Sequence, residues 1–274
     1  VQTCALPIFS LMKEIAKKRK KDIDVRIGAY SPFGFLNSEP RRWEIFVEGV
    51  EYADFMAALP EADDTSEYPD HIGFMEHCRR MLELATLKNM ILHIHADQRN
   101  DPNETGTEQV IKAIKKYGAP KSTDDEPMVW VVHMISPSTY DEYRFERLVR
   151  DLKDLNIGVI CCPSAALGMR QLRPLMTPTY NSIPRVLEII EAGVFVRLAS
   201  DNICDICSPS TTANLIDEVF VLSAALRFYN IGILAKLAAG IRMDNNDIAI
   251  VSEHLIKNKQ EIEKVLIERN KNIL

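Results

Sequence analysis

The sequence predicts an α/β protein: a parallel barrel of the (β/α)8 type, incomplete, with about six strands. Three observations carry this. Short apolar runs alternate with helical patterns six times along the chain, and parallel strands need such crossovers to return to the same edge of a sheet. No Gly-x-Gly-x-x-Gly follows any run, which disfavours an open dinucleotide-binding sheet. Polar residues gather where at least four of the runs end, as a ring-shaped site at the carboxyl face of a barrel requires.

In order, Val25 to Tyr30 reads as a strand, then the Pro32-Phe33-Gly34 turn and a helix from about Glu39 with Trp43, Phe46, Val47 and Val50 on one face. Phe55 to Leu59 is the next strand. Its helix is expected over His71 to Lys88, with Phe74, Cys78, Met81, Leu82 and Ala85 inward, and it leads to a strand beginning at Met90. A helix through Val110, Ile111 and Ile114 follows. The strand Met128 to Met134 is paired with a helix through Phe145, Leu148, Val149 and Leu152. Gly158 to Ser164 precedes a helix through Ile183, Val186, Leu187 and Ile190, and Val194 to Asp201 precedes one through Leu215, Val219, Leu222 and Leu226. A last helix, Glu253 to Leu274, sets Leu255, Ile262, Val265 and Leu266 on one side, for packing outside the barrel or for a partner.

These elements divide the chain into an N-terminal helix (Leu11 to Lys20) with a non-native start in 1–22, a barrel portion in 23–240 and a helical extension in 241–274. Val1 to Ile8 has neither the basic region nor the cleavage site of a signal peptide, and the chain reads as a fragment. With 274 residues, 46% hydrophobic, one large core is available. The net charge is -6 and the 33 basic residues are dispersed, so nucleic acid is not an expected partner; the run Lys17 to Lys21 is the exposed end of a helix. No apolar stretch is long enough to span a membrane. Six cysteines, Cys161 and Cys162 adjacent in a strand-like run, suit a reduced core and a cytoplasmic location. The expected partner is a small molecule, with a homo-oligomer left open.

The chemistry concentrates in Met90 to Gln98, where an apolar strand ends in His93, His95, Asp97 and Gln98. His93 and His95 share a face by the two-residue strand period. A second strand closes on His133 and a third on Ser200 and Asp201. Imidazole and carboxylate groups at three strand ends suit a metal or proton-transfer site. Asp97 reads as an orienting group, and Asp101, Glu104 and Glu108 as the acidic start of the following helix. Cys204-Asp205-Ile206-Cys207 has the Cys-x-x-Cys spacing, but no further pair of zinc ligands stands out nearby. His71, His77 and His254 lie on loop or helix patterns, where surface or capping roles suffice.

Taken in order, His95-Ala96-Asp97-Gln98, Val132-His133-Met134, Cys161-Cys162-Pro163-Ser164 and Ala199-Ser200-Asp201-Asn202 resemble the strand-end motifs of the amidohydrolase superfamily, specifically its cytosine deaminase-like metal-dependent hydrolases, over about 23–240. The resemblance implies a divalent metal, zinc or iron, held by His95 and Asp201, with Asp201 also taking a proton from water. It implies that His133 polarises the substrate, and it places Gln98, Phe33, Arg170 and Gln171 where the family contacts substrate. Two features depart from the pattern. The family's His-x-His of the first strand is absent before Val25, in keeping with the low strand count. Gln98 stands where deaminases of this group carry a proton-shuttling glutamate, and an amide has no useful titration near neutral pH. The implied activity is metal-dependent hydrolysis of a non-peptide carbon-nitrogen bond in a small cyclic or amide substrate, with deamination of cytosine itself ranked below other such hydrolyses. The alternative is a catalytically inactive barrel that acts as a binding or assembly module.

Overall fold

The structure is a computed structural model that describes residues 5–168, 183–205 and 208–271. It has α/β architecture with six parallel strands in the order β1-β2-β3-β4-β5-β6: β1 Gly28–Tyr30, β2 Phe55–Ala58, β3 Leu92–Ala96, β4 Val129–His133, β5 Ile157–Cys161 and β6 Val196–Leu198. The described helices are α1 Ala5–Arg19, α2 Arg41–Val50, α3 Phe74–Lys88, α4 Gly106–Tyr117, α5 Glu142–Asp154, α6 Pro163–Gly168, α7 Val186–Glu191, α8 Leu215–Leu226, α9 Ile231–Ala238 and α10 Asn245–Lys271. The chain divides into two compact units.

The first unit takes 1–98, 103–134 and 154–158. Its registers pair Ala57 with His93 and Ala96 with His133, which brings the ends of β3 and β4 level. β4 is buried throughout, as expected of a parallel strand covered on both faces, while in β3 Leu92, Ile94 and Ala96 are buried and His93 and His95 occupy the other, half-buried face. α3 packs on β2 and β3 with Cys78, Met81, Leu82 and Ala85 buried, the face that the helical period marks out. It begins at Phe74 rather than His71, because Gly73 holds φ +91°, a conformation that starts no right-handed helix. His71 instead forms an isolated bridge with Leu36. Two short 3-10 turns, Pro60–Asp63 and, in the second unit, Ser136–Thr139, follow strands β2 and β4.

The second unit takes 99–102, 135–153 and 159–274. Here Val159 pairs with Val196 and Cys161 with Leu198. Two strands are shorter than the apolar runs suggest: β5 stops at Cys161 because Pro163 opens α6, and β6 stops at Leu198, ahead of Ser200 and Asp201. α7, α8 and α9 each pack against β6, and α10 packs along α7. α9 is an element that the sequence pattern missed, and α10 starts at Asn245, eight residues before the expected start. Beyond Val251 the long helix leaves Ile256, Ile262, Val265, Leu266 and Ile267 exposed. Among the described residues, no helix is long and apolar enough to cross a membrane.

Candidate active site at the strand ends

The end of β3 meets the end of β4 through two imidazoles. His95 Nδ1 lies 3.1 Å from His133 Nε2, and the Tyr30 ring stacks on His95 at 5.4 Å between centroids. Burial, then the neighbouring His133, lowers His95 to a pKa of about 3, and burial lowers His133 to about 4. Both rings are therefore neutral at pH 7, so one nitrogen of the contact donates its proton and the other accepts it. Neutral imidazole is also the form that ligates metals.

Backbone strain marks the ends of several strands. Asp97, His133 and Met134 have φ of 60°, 76° and 51°, and Asp201 has 64°. Non-glycine residues rarely adopt this left-handed region, and it collects at functional sites. These residues lie at or within three residues of the ends of β3, β4 and β6.

Asp97 orients the loop, as its position suggests. Its carboxylate accepts the Gly106 N–H at 2.7 Å and the Thr107 N–H at 2.8 Å, which satisfies the start of α4. Burial pushes this carboxyl up, against the lowering effect of those hydrogen bonds. Glu108 sits in the first turn of α4, in keeping with the acidic helix start. Sequence reasoning missed Glu61 as an individual residue. From the turn after β2 its Oε1 accepts the Asp97 N–H at 2.5 Å, and its Oε2 accepts an N–H from Gln98 Nε2 at 3.4 Å. The available signal was a carboxylate one turn beyond a buried strand, in the loop Leu59 to Asp63.

His71 and His77 correct the surface or capping reading. The fully buried Asp63 accepts Nδ1–H groups from His71 at 2.7 Å and from His77 at 2.6 Å, and the Phe35 N–H at 2.8 Å. Burial alone raises the Asp63 carboxyl, but the hydrogen bond and charge of His77, with Phe35 and His71, bring it below its ordinary value. His71 and Phe33 share a groove of about 700 Å³ with Pro32, Leu36, Arg42, Ala62 and Tyr68. His254 packs edge-on against Phe228 in the second unit, at 5.0 Å between centroids.

Asp201 belongs to the second unit, on an exposed stretch after β6. Partial desolvation, then Asp205 and Glu218, push its carboxyl up, which strengthens it as a proton acceptor. Glu218 is buried on α8 and accepts the Ser164 N–H at 2.9 Å. Cys204 donates from Sγ to the Thr211 carbonyl. Arg170, Gln171 and Cys207 lie outside the described residues. Among the described residues no group of three or more His, Cys, Asp and Glu side chains is gathered for a metal ion. His95, a neutral imidazole at the β3 end, has the donor chemistry of a ligand for a divalent cation, and Asp201 offers a carboxylate.

No family model matches the chain. A Haemophilus influenzae protein described as uncharacterized is 27% identical over 172 residues, 62% of this chain and 57% of its own length. Among solved structures, 5-methylcytosine deaminase from Klebsiella pneumoniae liganded with 5-fluorocytosine superposes with a TM-score of 0.72 at 20% identity, covering 86% of this chain and 55% of the deaminase. The same enzyme with phosphonocytosine gives 0.72 and 20%, over 87% and 56%. N-isopropylammelide isopropylaminohydrolase from Burkholderia multivorans gives 0.63 and 14%, over 88% and 55%. The chain thus shares its fold with parts of these proteins over most of its own length, with six parallel strands in sequence order. It spans about half the length of the proteins it matches.

Proposed function

We propose that the protein is a metal-dependent hydrolase of a non-peptide carbon-nitrogen bond in a small cyclic or amide substrate. The observation that carries this reading is the neutral His95–His133 pair at adjoining strand ends, with nitrogens 3.1 Å apart, on a fold shared with carbon-nitrogen hydrolases. His95 and Asp201 are the groups assigned to hold a divalent cation, zinc or iron, which when bound supplies the acidification of water. Asp201 accepts the proton that water gives up as it attacks. His133 steadies charge developing on the substrate, a task that suits an imidazole poised to donate or accept. Gln98 hydrogen-bonds the substrate, and Phe33 offers an exposed aromatic face in the groove beside His71. Arg170 and Gln171 complete the assigned substrate contacts.

The test is mutational. In the chain extended at its amino end, His95→Ala and Asp201→Ala should each abolish hydrolysis, while His133→Ala should spare more metal than His95→Ala does. Near-normal turnover in either of the first two removes the mechanism, and equal metal loss in the third makes His133 a ligand. Neither metal nor turnover in any form would favour a binding or assembly module.

A further inference from the structure

Resting on the reading of the β3 end as a substrate site, the hydrogen bonds around Gln98 carry a statement about what the substrate presents there. An ionised carboxylate only accepts hydrogen bonds, whereas a carboxamide donates from one end and accepts at the other. Glu61 uses Oε1 on the Asp97 N–H and turns Oε2 toward Gln98 Nε2. One N–H of the amide is thus directed at Glu61, which turns the nitrogen end toward the carboxylate. Its carbonyl oxygen has no protein partner among the described residues, and the side chain is half-buried.

We propose that Glu61 fixes the Gln98 carboxamide with its carbonyl oxygen toward the ligand, and that the site thereby selects molecules presenting an N–H donor at this point, a lactam or urea N–H rather than a bare ring nitrogen. A bare nitrogen would set lone pair against lone pair and leave a half-buried acceptor unmatched. That mismatch weakens binding by about tenfold to a hundredfold. Glu61 is in this sense a positioning residue, acting through Gln98.

The same logic gives an inversion. In Glu61→Gln the new oxygen remains on the Asp97 N–H, so the new amide nitrogen faces Gln98. Gln98 must then turn its own oxygen toward position 61 and present its N–H outward. The experiment measures binding of ethyleneurea, its N,N′-dimethyl derivative and pyrimidine by saturation-transfer NMR to the chain, to Glu61→Gln and to Gln98→Met. The unmodified chain should favour ethyleneurea over both others by about tenfold or more, Glu61→Gln should favour pyrimidine, and Gln98→Met should lose the preference. The nitrogen-15 signal of the Gln98 carboxamide should shift in Glu61→Gln as its partner changes. Equal binding of ethyleneurea and its dimethyl derivative, no binding of any probe, or an unchanged order in Glu61→Gln would overturn the proposal. A retained order of binding with no hydrolysis by any form would count against the hydrolase reading alone.

Discussion

Asp63 is the residue whose environment has the most direct energetic consequence. A buried carboxylate with three hydrogen-bond donors tolerates burial only while they stay in place. Asp63→Ala should therefore cost about 3–5 kcal/mol in urea unfolding. The pH dependence has a definite sign. The folded carboxyl lies below its unfolded value, so its contribution is present above the unfolded pKa and is lost as pH falls through the folded one. Asp63→Asn should lose less stability than the unmodified chain on acidification below about pH 4, where an unfolded aspartate takes up its proton. A parallel loss in both proteins would deny the carboxylate that role. This network was not legible in the sequence. His77 falls on a helical period and His71 before it, and nothing in either period says that Asp63, 14 residues ahead of His77, turns back to meet both. His95 and His133 were legible as strand-end imidazoles because each closes an otherwise apolar run, while their 3.1 Å contact was not. Glu61 was not, because its meaning depends on the 3-10 turn that lifts it toward the β3 end.

At the scale of elements, caps and close approaches decide more than propensity does. α9 is only eight residues long and begins where Asn230 Oδ1 accepts the Ile233 N–H at 3.1 Å. Asn230→Ala should cost about 1 kcal/mol, read as a shift of the urea midpoint, and Asn230→Ser should recover most of it. At Gly158 a Cβ would overlap the Trp130 ring, so Gly158→Ala should cost about 1–3 kcal/mol through displacement of a fully buried indole. A neutral result would mean that Trp130 has room to move. The six strands were readable because runs buried on both faces are continuously apolar. Their ends were less so: the apolar character of Cys162 carries the run past Cys161, where β5 ends, up to the helix that Pro163 opens, and the hydrophobicity of Ile231 to Ala238 merges with that of α8 across the Arg227 turn, whose φ is 53°.

At the scale of the molecule, the fold agrees with the expectation from the sequence, six parallel strands alternating with helices and similar to part of a 5-methylcytosine deaminase and of an N-isopropylammelide isopropylaminohydrolase. The alternation of elements made the architecture legible, since few topologies satisfy right-handed crossovers with that order. The proposed chemistry draws on groups at several strand ends, and one sequence shows their order but not their distances. Metal-dependent hydrolysis at these strand ends, as proposed, releases ammonia or amine from the substrate. A panel of amides, cyclic ureas and aminopyrimidines is to be incubated with the amino-extended chain, with and without a chelator, beside His95→Ala. Turnover of at least one N–H-bearing member is expected, lost on chelation, restored by zinc or ferrous ion and absent in His95→Ala; turnover that survives both the chelator and the substitution would rule out a metal held by His95.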